Sequence, residues 1–434
     1  MNGLKKLLKR LLGKGGVSSY HKLLAKLASF IYGQPSSKLI VIGVTGTNGK
    51  STTVNLIAKI LESAGNKVAI SSTVNFKVAG KEWLNDMKMT MPGRFFLQNL
   101  LKQAVTAGCR YVIVEVTSEG IVQHRHAGIH FDVVVFTNLT PEHLESHGGF
   151  ENYKAAKLSL FRRLENLPHK IIAGKLVKKI IVVNQDDANA QDFMKFKVDQ
   201  IVKFGQQENA DIRGQNLSLN PEGLSFQVKD VLFNLKLLGQ FDFYNSLAAS
   251  ATAISQGISL KTCADSLGRV ANVPGRMEVI QQKPFTVIVD YAYEPEEMRQ
   301  VYETISRWQV KRVIQVLGPS GGGRDRARIS ILGKMAGKFA AVVFITTDDP
   351  YDDDPKLIGE QMFDGAVKSG KQAGLDLFME LDRRKAINLA LNQAKSGDLV
   401  LITGKGSDQK MAVKGGYVPW DDRTVVKEEL AVKI

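Results

Sequence analysis

The run Gly43-Val44-Thr45-Gly46-Thr47-Asn48-Gly49-Lys50-Ser51-Thr52-Thr53 has the residue types and spacing of a phosphate cradle. Glycines let the backbone curl so that its N–H groups face phosphate oxygens, and a helix that begins directly after the loop adds its positive end. Lys50 is placed to neutralise β/γ-phosphate charge and Ser51 to hold Mg²⁺, so nucleotide phosphates are the expected ligand of Thr45, Gly46, Thr47, Asn48, Gly49, Lys50, Ser51 and Thr52. Gly43 stands one residue earlier than the strict phosphate-loop spacing, which leaves Gly46 and Gly49 as the glycine pair. Glu115 ends the apolar run Tyr111-Val112-Ile113-Val114, and a carboxylate at the end of a core strand beside such a loop suits a second metal contact. His143 is a candidate to complete that Mg²⁺ site, although His143-Leu144-Glu145 by itself reads as a helix-surface pair.

Those residues need a scaffold that brings strand ends together. From Lys38 onward, short β-branched runs alternate with longer helical stretches, the pattern of an α/β fold with a parallel sheet and crossover helices. Leu39–Val44, Val68–Ile70, Arg110–Glu115 and Val133–Thr137 read as core strands, with helices starting near Ser51, Arg94, Asn152 and Gln191. Between Ile201 and Leu238 the alternation of Leu217, Leu219, Leu224, Phe226 and Val228 predicts a small antiparallel excursion. A second α/β set follows: strands at Phe285–Asp290, Arg312–Leu317, Ala341–Thr346 and Leu399–Ile402, and helices starting near Glu296, Ile331, Lys356 and Arg383. Asn272–Arg276, with Pro274 and Gly275, reads as a hinge. The expected organisation is a basic arm over 1–37, a central ATP-binding domain over 38–274 and a Rossmann-like C-terminal domain over 275–434.

At 434 residues, 44% hydrophobic and 23% charged, the chain can build two or three real cores and is neither disordered nor fibrous. Cys109 and Cys263 lie far apart in apolar stretches, which predicts free thiols in a reducing, cytoplasmic setting. The net charge of +15 is concentrated at the start, where Lys5, Lys6, Lys9, Arg10, Lys14, Lys22, Lys26 and Lys38 occur with no acid before Ile40. Leu4, Leu7, Leu8, Leu11 and Leu12 opposite those lysines describe a basic amphipathic helix, followed after a Gly15-Gly16 break by a second apolar stretch, Leu23–Tyr32. This arm touches an anionic membrane surface loosely, stays a solvated arm or packs on the next domain; it is too short and too charged for a transmembrane anchor and lacks a signal-peptide cleavage site. The basic excess is not interleaved with stacking aromatics, which argues against nucleic acid.

The order of motifs resembles the Mur ligase family. Thr45–Thr53 looks like its ATP-binding loop. Tyr111–Ser118 continuing to Val122-Gln123-His124-Arg125, then Phe136–Gly148 and Tyr153-Lys154-Ala155-Ala156-Lys157, resemble in particular the ligases that add the third residue to UDP-N-acetylmuramoyl-dipeptide. In those ligases the lysine in the place of Lys157 is carbamylated and helps bind a second Mg²⁺; a plain surface lysine is the alternative. The resemblance implies acceptor contacts at Thr90, Met91, Thr117, Gln123 and Arg125, with Met91 departing from the family's threonine. Gly239–Asn245 resembles the segment whose last Asn, here Asn245, sits by adenine, with Asp242 replacing an Asn. Arg276 and Asp290 are implied to reach ATP across the domain cleft, and Tyr293 stands where histidine is usual. Gly318–Asp325 could form a second anion-binding turn. Asp349, Tyr351, Lys405, Ser407 and Asp408 match the segments that receive the incoming amino acid. Family members that use diaminopimelate carry arginine in the place of Tyr351, so another amino acid is expected, and Asp349, Asp352, Asp353 and Asp354 would suit a cationic one such as lysine, with a solvated acidic loop as the alternative.

The implied reaction is amide formation in peptidoglycan precursor synthesis. ATP phosphorylates an acceptor carboxylate, and an amino acid's amine displaces phosphate from the acyl phosphate, with the two domains closing over the intermediate. The implied partners are a nucleotide-linked muramoyl peptide and an amino acid, and a monomer is expected. Ligases of this kind carry an N-terminal domain that grips the UDP moiety, and only the basic arm precedes the ATP loop here. A folylpolyglutamate synthase-like ligase, a lipid-linked acceptor, and a non-catalytic NTP-binding module are the competing readings.

Overall fold

A computed structural model describes residues 2–141, 147–323 and 326–432, giving the backbone alone for 2–15 and 17. The chain divides into two compact units. The first comprises Met1–Leu217, Ser225–Asn234 and Asp242–Arg269; the second comprises Ser218–Leu224, Leu235–Phe241 and Val270–Ile434.

The first unit is built on a sheet whose strands run in the order Val231–Leu235, Gly223–Val228, Ile212–Asn220, Gln200–Gly205, Ile180–Asn184, Val133–Phe136, Ile40–Thr45, Tyr111–Glu115, Val68–Ser71, Asn75–Val78 and Lys81–Leu84. The central strands are β-branched and buried throughout, as a parallel sheet covered on both faces requires. Ile40–Thr45 pairs in parallel with Tyr111–Glu115, Val44 opposite Glu115, and with Val133–Phe136, Thr45 opposite Phe136. This register brings the phosphate loop, Glu115 and the segment after Phe136 to one carboxyl edge of the sheet, where open α/β sheets bind ligands.

Two expectations are corrected here. The stretch after Ile201 is no separate antiparallel excursion at its start: Gln200–Gly205 pairs in parallel with Ile180–Asn184 and with Ile212–Asn220, so it extends the main sheet. The alternation that suggested otherwise reflects strands with one face open to water, as in Ile212–Asn220. The Gly15-Gly16 break is absent, because Asn2–Ile31 is one continuous helix. Two glycines cost such a helix about 1 kcal/mol each and do not end it without a proline. From Ser18 onward the helix is docked: a Cβ on Gly128 would meet the Ala25 carbonyl at 2.4 Å, so only glycine permits this approach.

The second unit holds a six-stranded sheet ordered Glu278–Gln281, Thr286–Asp290, Leu399–Thr403, Val313–Leu317, Val342–Ile345 and Leu377–Met379, antiparallel at its first pair and parallel elsewhere. Its helices begin at Pro295, Ala327, Pro355 and Arg383, close to where the sequence places them. Pro295 and Pro355 stand at first helical positions, where a missing N–H costs nothing. Both cysteines are buried free thiols, as their surroundings predicted.

Candidate active site

The phosphate loop links Ile40–Thr45 to the helix Lys50–Ser63, and Gly49 caps that helix in the left-handed region (φ 79°). A side chain on Gly49 would strike Asn245 Oδ1 at 2.1 Å, and one on Gly46 (φ 157°) would strike Thr137 Oγ1 at 1.9 Å, so both glycines are sterically required. Gly43 is different: it lies within the strand, its Cβ position 2.9 Å from the Phe131 ring. Its early spacing is thus a packing demand of the core. The loop is held by its neighbour strand's end, with Thr47 N donating to the Asn138 carbonyl (2.9 Å), Asn48 N to Asn138 Oδ1 (2.8 Å) and Thr137 Oγ1 to the Asn48 carbonyl (2.7 Å). Lys50 Nζ rests on the Thr47 carbonyl. Ser51 and Thr52 are buried in the first helical turn. Asn245 is oriented by Asp242, whose Oδ1 accepts from Asn245 Nδ2 at 3.1 Å, leaving Oδ1 of Asn245 toward Thr53 Oγ1 (3.3 Å). This gives the Asp in place of Asn a physical role.

Glu115 is almost wholly buried, and among the described residues its hydrogen bonds come from neutral donors: Ser51 Oγ at 2.8 Å, Thr73 N at 2.7 Å and Thr73 Oγ1 at 3.0 Å. The Thr73 hydroxyl also meets the Thr90 hydroxyl at 2.9 Å, tying the Thr90 segment to this carboxylate. Thr73 carries no local signal, following the strand Val68–Ser71 without a motif of its own. Lys157, on the helix Phe150–Asn166, is not a surface residue: it is 1% exposed, its Nζ donates to the Gly46 carbonyl at 2.7 Å, and it sits 4.4 Å over the Tyr153 ring. The Tyr153 hydroxyl meets Thr47 Oγ1 at 3.1 Å, a second contact with the loop that sequence reasoning missed. His143 lies outside the described residues. Nearby, His147 Nε2 reaches Ser118 Oγ at 3.0 Å. Burial, with Lys157 close by, lowers the His147 pKa and so favours the neutral ring.

The proposed acceptor residues cluster beside this edge. Thr117 caps the short helix Ser118–Val122 by accepting from Gly120 N. Arg125 donates to Gln123 Oε1 through Nε (3.1 Å) and Nη2 (2.7 Å) and to the Met91 carbonyl through Nη1. The Met91 side chain is buried against Gly120, so it packs where the sequence reading asked for a contact with substrate. Thr90, Thr117, Gln123 and Arg125 all stay partly exposed.

In the second unit, Asp290 is buried and accepts from Met277 N and Ala292 N, both at 2.7 Å; burial raises its pKa against the opposing pull of Arg276. Arg276 stacks 4.2 Å from the Tyr291 ring, and Tyr293 packs edge-on to Tyr291 and under Arg328, so the tyrosine replacing histidine keeps a packing role. Lys405 is enclosed by Asp349 (2.8 Å), Asp408 (3.3 Å) and Asp348 (3.7 Å) and donates to the Lys410 carbonyl. Those carboxylates raise its pKa against desolvation, which is the largest single influence. Asp349 also accepts from Ala412 N, Asp353 from Gly322 N and Arg326, and Asp354 from Lys356 N as a helix cap. Three of the four acids expected to attract a cationic amino acid are therefore engaged within the fold. The Gly318–Asp325 turn is likewise committed, since Gly321 N donates to the Asp349 carbonyl and Gly322 N to Asp353; Arg324 and Asp325 lie outside the described residues. Ser407 is buried, whereas Tyr351 (φ 53°) is partly exposed.

The Mur ligase middle domain family matches residues 44–253, and the family described as Mur ligase, glutamate ligase domain, matches 275–406. The chain is 36% identical over 417 residues to the UDP-N-acetylmuramoyl-L-alanyl-D-glutamate–2,6-diaminopimelate ligase of Geobacillus thermodenitrificans, covering 95% of this chain and 83% of the relative. It is also 36% identical over 417 residues to the UDP-N-acetylmuramyl-tripeptide synthetase of a Roseiflexus species, covering 94% and 82%. A solved UDP-N-acetylmuramoyl-L-alanyl-D-glutamate–2,6-diaminopimelate ligase superposes with a TM-score of 0.62 at 29% identity, over 91% of this chain and 79% of the other.

Proposed function

The chain belongs to the Mur ligase family of ATP-dependent carbon–nitrogen ligases, and we propose that it adds the third residue to a UDP-N-acetylmuramoyl-dipeptide in peptidoglycan precursor synthesis. The observation that carries this reading is the buried Glu115 carboxylate, hydrogen-bonded among the described residues to neutral donors alone and 2.8 Å from Ser51 Oγ of the phosphate loop. A buried carboxylate without a cation is costly, and hard oxygen donors at a phosphate loop suit Mg²⁺. Ser51 and Glu115 would hold the ion, joined by His143 and by Lys157 if its amine takes up CO₂ and loses a proton to become a carbamate. When bound, Mg²⁺ neutralises phosphate charge during transfer.

The loop amides and Lys50 bind and orient the γ-phosphoryl group, and their charge is worth most as negative charge spreads over the transferring oxygens. Asn245, Arg276 and Asp290 serve the nucleotide. Thr90, Thr117, Gln123 and Arg125 position the acceptor so that its carboxylate oxygen attacks phosphorus and ADP leaves. The amino acid's neutral amine then attacks the acyl carbon, forming the C–N bond and releasing inorganic phosphate. Tyr351 and Ser407 are assigned to that amino acid, and the absence of arginine at Tyr351 favours a residue other than diaminopimelate, although several relatives are named for it.

Among the described residues no helix is long and apolar enough to cross a membrane. We place the protein in the cytoplasm as a monomer. Peripheral contact with an anionic membrane is supported by the exposed Tyr20, Leu23, Leu27 and Phe30, flanked by Lys22 and Lys26 on the first helix. The reading is tested by incubating the protein with ATP, Mg²⁺, UDP-N-acetylmuramoyl-L-Ala-D-Glu and single amino acids. One amino acid should give an amide product and equimolar phosphate; phosphate release without amide would overturn the assignment.

A further inference from the structure

A cleft of about 360 Å³ opens in the first unit, lined in part by Lys22 of the first helix, His124 and His126 of the turn after Ser118–Val122, and Ser159, Arg162 and Arg163 of Phe150–Asn166. None of the described residues lining it is acidic. The nearest acid in sequence, Glu165, is used elsewhere, accepting from Lys197 N at 2.8 Å. The cationic groups gathered in one concavity raise the local concentration of anions.

Two buried nitrogens in its wall, Arg163 Nε and His126 Nδ1, have no hydrogen-bond partner among the described residues. Arg163 is fixed, its Nη2 donating to the Ala127 (2.6 Å) and Ile129 (3.0 Å) carbonyls. His126 is 6% exposed, and one nitrogen of its neutral ring can accept a hydrogen bond, the role open to the unpartnered Nδ1. Burial and the neighbouring Arg163 hold that ring neutral, with its pKa lowered to about 3. His124 is strained into the left-handed region (φ 52°) and bridged to Ser18 Oγ at 2.7 Å, which joins the first helix to the cleft wall. A buried donor and a buried acceptor left open in a native fold ask for a ligand that supplies both complements.

We infer that this cleft is a second anion site that takes a phosphate ester carrying a nearby hydroxyl, as a nucleotide or sugar phosphate does. Lys22, Arg162 and Arg163 Nε face phosphate oxygens, and His126 Nδ1 accepts from the hydroxyl. The volume lies within the range of small-molecule sites. The ligand has two sources, the diphosphate carrier of the acceptor or a free phosphorylated metabolite. His124 lies between Gln123 and Arg125 in sequence, which favours the first; that choice rests on the muramoyl-acceptor reading, whereas the anion site does not.

The test uses the full chain with its phosphate loop saturated by a non-hydrolysable ATP analogue and Mg²⁺, titrated calorimetrically with UDP and separately with inorganic pyrophosphate. UDP is expected to bind one per chain, and the double variant Lys22→Ala/Arg162→Ala, which removes two exposed side chains, should weaken it by about tenfold or more. His126→Phe should bring UDP down toward pyrophosphate by removing the hydroxyl contact. Unchanged affinity for the ATP analogue shows that the variants are folded. No saturable UDP binding, or equal affinity in the double variant, overturns the site. With the site established, a raised KM for the UDP-linked acceptor at constant kcat in the double variant identifies the carrier as its ligand, and an unchanged KM identifies a free metabolite.

Discussion

Glu115 and Lys405 are both buried charges at the carboxyl edge of a parallel sheet, and they are treated in opposite ways. Glu115 meets only neutral hydroxyl and amide donors among the described residues. Lys405 is wrapped by three carboxylates and a carbonyl within its own unit. An incompletely compensated carboxylate beside a phosphate loop is a place for a cation and its nucleotide, while an enclosed lysine is scaffold that shapes the loops around it. Chemistry is expected to concentrate at the first, and stability to depend on the second.

The comparison is broken most severely at Lys50. Lys50→Ala should lower acceptor-dependent phosphate release about 10³-fold, about 4 kcal/mol of transition-state stabilisation, with the thermal midpoint unchanged. A variant that loses its fold instead would make Lys50 structural. Lys405→Met should do the reverse, costing the second unit about 3–5 kcal/mol because its carboxylates are left without their cation. Hydrogen exchange read by unit checks this: protection must fall in the second unit and hold in the first. Since the folded pKa of Lys405 is raised above its unfolded value of about 10.4, its contribution is complete below that pH and is lost as pH rises through the folded value. The gap between wild type and variant should therefore stay level from neutral pH upward and close in strong alkali.

Glu115→Gln sharpens the contrast. It keeps an acceptor for Thr73 N but removes the charge, and is expected to slow phosphate release about 10²-fold and raise the Mg²⁺ concentration required, with little change in stability. An unchanged Mg²⁺ requirement would count against the metal assignment. The smallest effect is with acid. All seven histidines lie between residues 21 and 169, in the first unit. His126 and His130 are held neutral by burial, with pKa values lowered to about 3 and about 4. Below about pH 6.5 the unfolded chain takes up protons that the native one refuses, so stability drains from the first unit as pH falls. Exchange between pH 6.5 and 5 should show the first unit opening before the second; the opposite order would contradict it.

The phosphate loop and its flanking strands were legible because a β-branched run followed by glycines and Lys-Ser admits few alternatives. Glu115 was legible for the same reason, as the terminus of such a run. Thr73, Tyr153 and Asn138 were not, since parallel register and side-chain reach bring them to the loop from positions without local signal. Lys157 illustrates a limit of composition: nothing in Tyr153–Lys157 says that the lysine points inward, toward the Gly46 carbonyl and over the Tyr153 ring. The acids after Thr347 looked like a recognition loop because turns and caps use the same residues that bind cations, as Asp354 at its helix N-terminus shows.

The central claim is most directly tested by following phosphate and product mass when the protein is given ATP, Mg²⁺, UDP-N-acetylmuramoyl-L-Ala-D-Glu and one amino acid at a time. The account predicts a muramoyl-tripeptide formed one-for-one with phosphate, lost in Lys50→Ala and retained at saturating acceptor in Lys22→Ala/Arg162→Ala. ATP bound with no amide formed from any amino acid would contradict it.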